Sequence, residues 1–293
     1  PILVATLLTD EKCVINNVPG LADIRSICAL LEHLGKKITV KGSSIEILPV
    51  RNNRYTAPYS LVKKMRASFL VSGPLAARKK KANVSLPGGC SIGQRPVNIH
   101  IDAFKKLGAR INIKEGYIYI SAQKLMPKRV ILRYPSVGAT ENIMMAAVLL
   151  DGKTVIENAA MEPEIKDLAV FLNKMGALVE GAGSGSITIK GVSTLMGCTH
   201  SVIPDRIEAA TYMIAAAVVG GELTLSGVDA GDIQQIIDAL IETGTKVKIL
   251  NNRDIYVKSV KNIMPVSIQT SPYPGFPTDV QAQWMALMAV AKG

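Results

Sequence analysis

Ile165-Lys-Asp-Leu-Ala-Val-Phe-Leu-Asn-Lys-Met-Gly-Ala-Leu-Val-Glu180, followed across a glycine-rich turn by Ser186-Ile-Thr-Ile189, holds one helix, one stop signal and two strands in a single short stretch. The run over 165–174 is amphipathic at helical spacing, and Gly176 behind it predicts a left-handed C-terminal cap. Leu178-Val-Glu180 and 186–189 alternate with period two, the pattern of a hairpin buried on one face. The same plan occurs over 24–33 with Leu34-Gly35, over 101–106 with Leu107-Gly108, and over 233–242 with Thr243-Gly244. The glycines at 35, 108, 176 and 244 lie 73, 68 and 68 residues apart, so the chain carries an internal repeat. A further strand stands upstream of three of these helices, as Cys13-Val-Ile15, Thr154-Val-Ile156 and Glu222-Leu-Thr-Leu225, and an apolar helix precedes each strand, over 2–8, 142–150 and 209–219. The repeating unit is therefore β-α-β-β plus a linking helix, and the fold class is α/β. Another unit opens at Ile268-Gln-Thr270 and Phe276-Pro-Thr-Asp279 and leads into an apolar helix over 280–291.

A length of 293 residues predicts two packing units. A hydrophobic content of 48% with 19% charged residues describes a folded globular chain. The net charge of +11 favours anionic ligands, either phosphorylated small molecules or nucleic acid. Aromatics at 4% supply few base-stacking platforms, which argues against nucleic acid. The cysteines at 13, 28, 90 and 198 form no paired ligand spacing, so neither structural zinc nor a disulfide framework is expected. No signal peptide is visible, and the strongest apolar run, 213–219, is far shorter than a membrane span of roughly 20 residues. The expectation is a cytoplasmic protein without membrane insertion. Because the chain opens at Pro1 inside one apolar run and stops just after another, it reads as a fragment with both ends missing.

One unit departs from its siblings. It begins near Tyr59, has 61–71 as its linking helix, and carries the basic run Arg78-Lys79-Lys80-Lys81, read as a solvated loop. Where the siblings have a plain strand and turn, it carries Pro87-Gly-Gly-Cys-Ser-Ile-Gly93. Pro87 and three glycines let the backbone set the direction of Cys90. Taken alone the motif is either a surface turn that holds a cysteine or a shaped catalytic loop. The repeat favours the second, because the architecture does not require the deviation.

Six stretches, in order, carry a resemblance: Met65-Arg-Ala-Ser68, Pro87-Gly-Gly-Cys-Ser-Ile-Gly-Gln-Arg-Pro96, Ser136-Val-Gly-Ala-Thr140, Glu162-Pro-Glu-Ile165, Pro204-Asp-Arg-Ile-Glu208 and Phe276-Pro-Thr-Asp279. Together they resemble the UDP-N-acetylglucosamine 1-carboxyvinyltransferases, enolpyruvyl transferases that open bacterial peptidoglycan synthesis and so serve cell-wall biogenesis. The resemblance implies two inside-out α/β barrel domains built from repeated β-α-β-β units. The first would occupy 1–203 and the second, incomplete, 204–293. It implies transfer of the enolpyruvyl group of phosphoenolpyruvate to the 3-hydroxyl of UDP-N-acetylglucosamine with release of phosphate. It also implies susceptibility to the epoxide fosfomycin; nothing in the sequence suggests a metal or a cofactor, and a monomer is expected.

At matching positions, Cys90 is the general acid towards phosphoenolpyruvate and a site of covalent adducts, and Asp279 is the base at the sugar hydroxyl. Arg66 and Arg95 contact substrate, Arg95 as a phosphate-binding fork. Pro96, Val97, Asn98 and Ile99, with Ser136, Val137 and Gly138, hold the UDP moiety, the second group at a helix start whose amides suit phosphate. Asn98 stands where relatives often show aspartate, and Tyr134 where some show lysine. Read structurally, Asp279 is a helix cap, Arg66 an amphipathic-helix charge, and His100 a packing residue. His200 carries no argument. Glu162 before Pro163 reads as a helix start, and Asp205 with Arg206 as a pair or a closure element. A non-catalytic UDP-sugar-binding homologue is the competing reading. With family residues expected before Pro1 and after Gly293, the fragment itself is expected to be inactive.

Overall fold

All four glycine-terminated helices form, and the glycines behind them adopt the left-handed backbone: φ is +102° at Gly35, +98° at Gly108, +97° at Gly176 and +88° at Gly244. Any side chain would be strained there, so the recurrent glycine is a backbone requirement. The computed structural model describes residues 1–50, 52–86, 97–251 and 253–293. The chain divides into two compact units, Pro1–Val202 and Ile203–Gly293.

The first unit holds three copies of the repeat. In the first copy, α1 (Ile2–Ala5) tightens into a 3-10 turn over Thr6–Leu8 and leads to β1 (Cys13–Asn16), α2 (Ala22–His33), β2 (Lys36–Lys41) and β3 (Ser44–Pro49). The second copy runs through β4 (Thr56–Ala57), α3 (Tyr59–Val62), a 3-10 segment over Arg66–Val71, α4 (Ser72–Lys79), β5 (Lys81–Ser85), α5 (Asn98–Lys106), β6 (Arg110–Lys114) and β7 (Tyr117–Ser121). The third has β8 (Arg129–Ile131), α6 (Val137–Ala147), β9 (Lys153–Glu157), α7 (Pro163–Lys174), β10 (Leu178–Glu180) and β11 (Ser186–Lys190), and the unit ends on β12 (Thr199–Ser201).

Two expectations for the second copy need correction. Residues 61–71 are not the linking helix, since that stretch is short α3 followed by a 3-10 segment, and α4 does the linking. Pro74 falls in the first turn of α4, where its missing N–H costs nothing. Nor is the basic run a solvated loop: Arg78 and Lys79 close α4, Lys80 turns the chain at φ +57°, and Lys81 opens β5.

Each copy builds a four-stranded sheet of one design. The orders are β12-β1-β3-β2, β4-β5-β7-β6 and β8-β9-β11-β10, with the outer strand parallel to its neighbour and the remaining pairs antiparallel. The outer strand always comes from the end of a different copy. β4 follows the first hairpin and joins the second sheet, β8 follows the second and joins the third, and β12 follows the third and returns to the first, Val14 opposite Thr199. The three copies are thus closed into a ring.

Helices fill the interior of this unit. Every residue of α6 from Ala139 to Ala147 is buried, so this helix has no solvent face and is apolar nearly all round. Strands such as β9 and β11 instead bury alternate residues against it, one face of each sheet inward. Each large apolar side chain so buried contributes about 1.5–3 kcal/mol.

The second unit packs α8 (Arg206–Val219), α9 (Gln234–Glu242) and α10 (Gln281–Ala289) on a sheet ordered β13-β15-β14, from β13 (Glu222–Ser226), β14 (Lys246–Asn251) and β15 (Asp254–Lys258). Asp205 caps α8, its Oδ1 accepting from the N–H groups of Ile207 at 2.8 Å and Glu208 at 3.1 Å. Trp284 of α10 stacks edge-on against Phe276, ring centroids 5.4 Å apart. Among the described residues no helix is long and apolar enough to cross a membrane.

Candidate active site

β5 and α5 stand on either side of residues 87–96, so Cys90, Arg95 and Pro96 lie outside the described residues. The remaining sequence-selected positions of the first unit are described, and three segments of them converge. Val97 is buried just before α5, and Asn98 opens that helix with its Oδ1 accepting from the Ile99 N–H at 3.0 Å. Ser136 caps α6, its Oγ accepting from the Ala139 N–H at 3.4 Å, with Val137 and Gly138 forming the first turn. Arg66 opens the 3-10 segment that ends at Val71.

His100 ties these segments together. Its ring meets the Phe69 ring edge-on at 5.2 Å, and its Nδ1 faces the Asn142 amide nitrogen at 2.9 Å. A Cβ built on Gly138 would stand 3.1 Å from His100 Cε1, so glycine there lets α5 and the start of α6 approach closely. Asn142 Nδ2 also donates to the Phe69 carbonyl at 3.3 Å, while its Oδ1 accepts from the Gly73 N–H at 2.8 Å. One buried amide thus joins the Arg66 segment, α4, α5 and α6.

Burial pushes His100 down to about 4, and the Arg66 charge pushes the same way. A neutral imidazole accepting at Nδ1 from Asn142 follows, which makes His100 a fixed packing and positioning group. Asn142 went unremarked in the sequence. Its only signal there was an amide among the apolar residues of α6.

Burial also raises the carboxyl of Glu141, beside Asn142 in α6, to about 7, with Glu164 and Glu162 pushing the same way. In the unfolded chain it would titrate near 4.3. Between these values the folded state holds a proton that the unfolded state has lost, so this group's contribution to stability falls as pH rises from the lower value and levels off above the upper. Glu141→Gln is expected to remove that slope. In thermal unfolding at pH 5 and pH 8 the variant should lose about 2–3 kcal/mol less than the parent between the two. Equal losses would refute the raised carboxyl.

Two further sequence readings have a structural outcome. Glu162 is the residue before α7 with Pro163 at the first helical position, as read. His200 sits in a buried cluster, its Nε2 2.8 Å from Asp167 Oδ1 and its Nδ1 3.3 Å from Lys174 Nζ, which holds β12 to α7.

In the second unit, Asp279 lies in a 3-10 turn over Thr278–Val280 and is exposed. No side-chain capping bond forms at the start of this turn or of α10, so the capping explanation for Asp279 does not hold.

The arrangement of strands and helices is that of the enolpyruvyl transferases. The family model of EPSP synthase (3-phosphoshikimate 1-carboxyvinyltransferase) matches residues 1–293. The enolpyruvyl transferase NikO from Streptomyces tendae superposes with a TM-score of 0.87 at 20% identity, over 100% of this chain and 70% of that one. EPSP synthase from Acinetobacter baumannii gives 0.69 at 18% identity, over 92% and 64%. At such identities the likeness carries the fold.

Sequence relatives are much nearer. The UDP-N-acetylglucosamine 1-carboxyvinyltransferase of Endomicrobium trichonymphae is 52% identical over 294 residues, and one from Caldanaerobacter subterraneus 50% over 293, each covering 100% of this chain and 70% of the relative. The chain belongs to the UDP-N-acetylglucosamine 1-carboxyvinyltransferase family.

Proposed function

We propose that this chain transfers the enolpyruvyl group of phosphoenolpyruvate to the 3-hydroxyl of UDP-N-acetylglucosamine, releasing phosphate, as a monomeric cytoplasmic enzyme of peptidoglycan synthesis. The observation that carries the reading is about 50% identity along the whole chain to relatives bearing that name. In addition, Asn98 and Ile99, the 136–138 helix start and the Arg66 segment lie around one buried His100–Asn142 contact.

Asp279 takes the proton from the sugar hydroxyl as its oxygen attacks C2 of phosphoenolpyruvate, and Cys90 delivers a proton to the C3 methylene, giving a tetrahedral adduct. Loss of a C3 proton and of phosphate then restores the double bond. Arg66 and Arg95 offset the phosphate charge, a role for which a planar fork of donors suits better than an ammonium. Residues 96–99 and 136–138 hold the UDP portion. At the start of α6 the first intrahelical bond runs from Thr140 N–H to the Ser136 carbonyl, 2.9 Å, and Ser136 Oγ takes the Ala139 N–H, so the Val137 and Gly138 amides before them belong to the orphan set that favours anions.

The test is phosphate release by the full-length gene product. It should require both phosphoenolpyruvate and UDP-N-acetylglucosamine and yield one enolpyruvyl sugar nucleotide per phosphate. Release that does not depend on the sugar nucleotide would overturn the assignment.

A further inference from the structure

A cleft of about 770 Å³ opens in the first unit beside α4 and the start of β2, and none of its lining residues is among those assigned above to either substrate. Lys36, Arg78 and Lys79 line it together with Asp10, Asn52 and Asn53. Lys36 is 5% exposed, and its Nζ donates to the Thr9 carbonyl at 2.8 Å. Lys79 Nζ donates to the Asn52 carbonyl at 3.1 Å. The cleft's carboxylate, Asp10, is paired with Arg78 and points largely into solvent. Among the described lining residues the cleft therefore sets three cations against one carboxylate, Asp10, whose direct partner is Arg78 and which Lys36 and Lys79 feel only through its charge.

The repeat shows that this charge is not needed by the fold. Lys36 follows the capping Gly35; in the other copies the residues after the capping glycines are Ala109, Ala177 and Thr245, all buried and all neutral. An ammonium taken out of water costs several kcal/mol when unpaired. At one of four equivalent positions the chain bears that cost, and it does so against a cleft with two more cations. Burial pushes Lys36 down to about 8, with Arg78 and Lys79 pushing the same way and Cys13 and Asp10 pushing against them.

We propose that this cleft is a binding site for a small organic phosphate of nucleotide size, separate from the transferase site. Three cations against one carboxylate leave the cleft two positive charges in excess, which calls for a ligand with at least two negative charges. Leu34, Val50 and Pro74 offer apolar wall for an organic body, and the volume lies within the ordinary range of ligand pockets.

The experiment is calorimetric titration of the full-length gene product with adenosine 5′-diphosphate, chosen because it lacks the uracil of the transferase substrate. The expected result is one site per chain, weakened at least about tenfold in both Lys36→Met and Lys79→Gln, with turnover kept within about twofold of the parent. Unchanged affinity in both variants, no saturation up to about 1 mM nucleotide, or stoichiometric displacement by UDP-N-acetylglucosamine would overturn it. Should Lys36→Met fail to fold, Lys79→Gln decides alone. An oligonucleotide that occupies the site more tightly than the mononucleotide would overturn the ligand class in favour of nucleic acid. Failure of the transferase assignment would leave the nucleotide isotherm readable, so the two failures are distinguishable.

Discussion

Cys90→Ser is expected to lower turnover of the full-length gene product by a factor of about 10²–10⁴, the usual worth of a positioned general acid. A serine hydroxyl keeps nearly the same shape and can still donate a hydrogen bond, but it ionises far above neutral pH and gives up its proton much less readily than a thiol, whose ordinary value is about 8.5. Protonating a carbon is a demanding task for an acid, so the difference should appear in kcat more than in KM. The nucleophile is lost in the same step. A fosfomycin adduct, visible by mass spectrometry on the peptide containing Cys90, should be absent from the variant. β5 and α5, on either side of the motif, are held by their own ladder and core contacts, so the melting temperature should hardly move. Retention of more than about a tenth of the parent rate would remove Cys90 from the acid role.

Asp279→Asn should be comparably damaging, with a drop in kcat of about 10²–10⁴ and little change in KM. The amide matches the carboxylate in size and still accepts a hydrogen bond from the sugar hydroxyl, so binding should survive while proton abstraction does not. The structure separates this from a folding effect. Asp279 is exposed and caps neither its own 3-10 turn nor α10, whereas Asp205, which does cap α8, should cost about 1 kcal/mol of stability when replaced by alanine. A variant that is folded, binds UDP-N-acetylglucosamine normally and turns over slowly is the expected outcome. If instead KM rises and kcat stays, Asp279 holds the sugar without acting as its base.

Much of the fold was legible because the repeat writes one pattern four times. An amphipathic helix, a glycine and an alternating hairpin reinforce one another, and each copy corrects the reading of the next. The second copy was harder. The apolar run at 61–71 suggests the linking helix but divides between α3 and a 3-10 segment, and Lys81-Ala-Asn-Val-Ser85 alternates weakly after a cationic run. β4, β8 and β12 were not read as pairing strands at all, since segments of two or three residues carry no periodicity. The site divides in the same way. Arg66, 97–99 and 136–138 could be picked from motifs, but that His100 and Asn142 join them could not, because the contact spans four elements. His200 meets Asp167 across 33 residues, a separation over which sequence spacing says nothing.

The ring closure of the first unit has a consequence for synthesis of the chain. β1 is the first strand of the unit to be made, yet its parallel neighbour β12 is the last element of the unit, and the Asn17 amide reaches the Val202 carbonyl 185 residues further on. At roughly 5–20 residues per second, the outer edge of β1 waits on the order of 10–40 seconds for its partner. During that interval β1 presents an open row of backbone donors and acceptors to neighbouring nascent chains. Short strands, four residues in β1 and three in β12, keep that edge brief. The unit therefore cannot complete its topology one copy at a time during translation, and ordering of its first sheet is a late event on the ribosome.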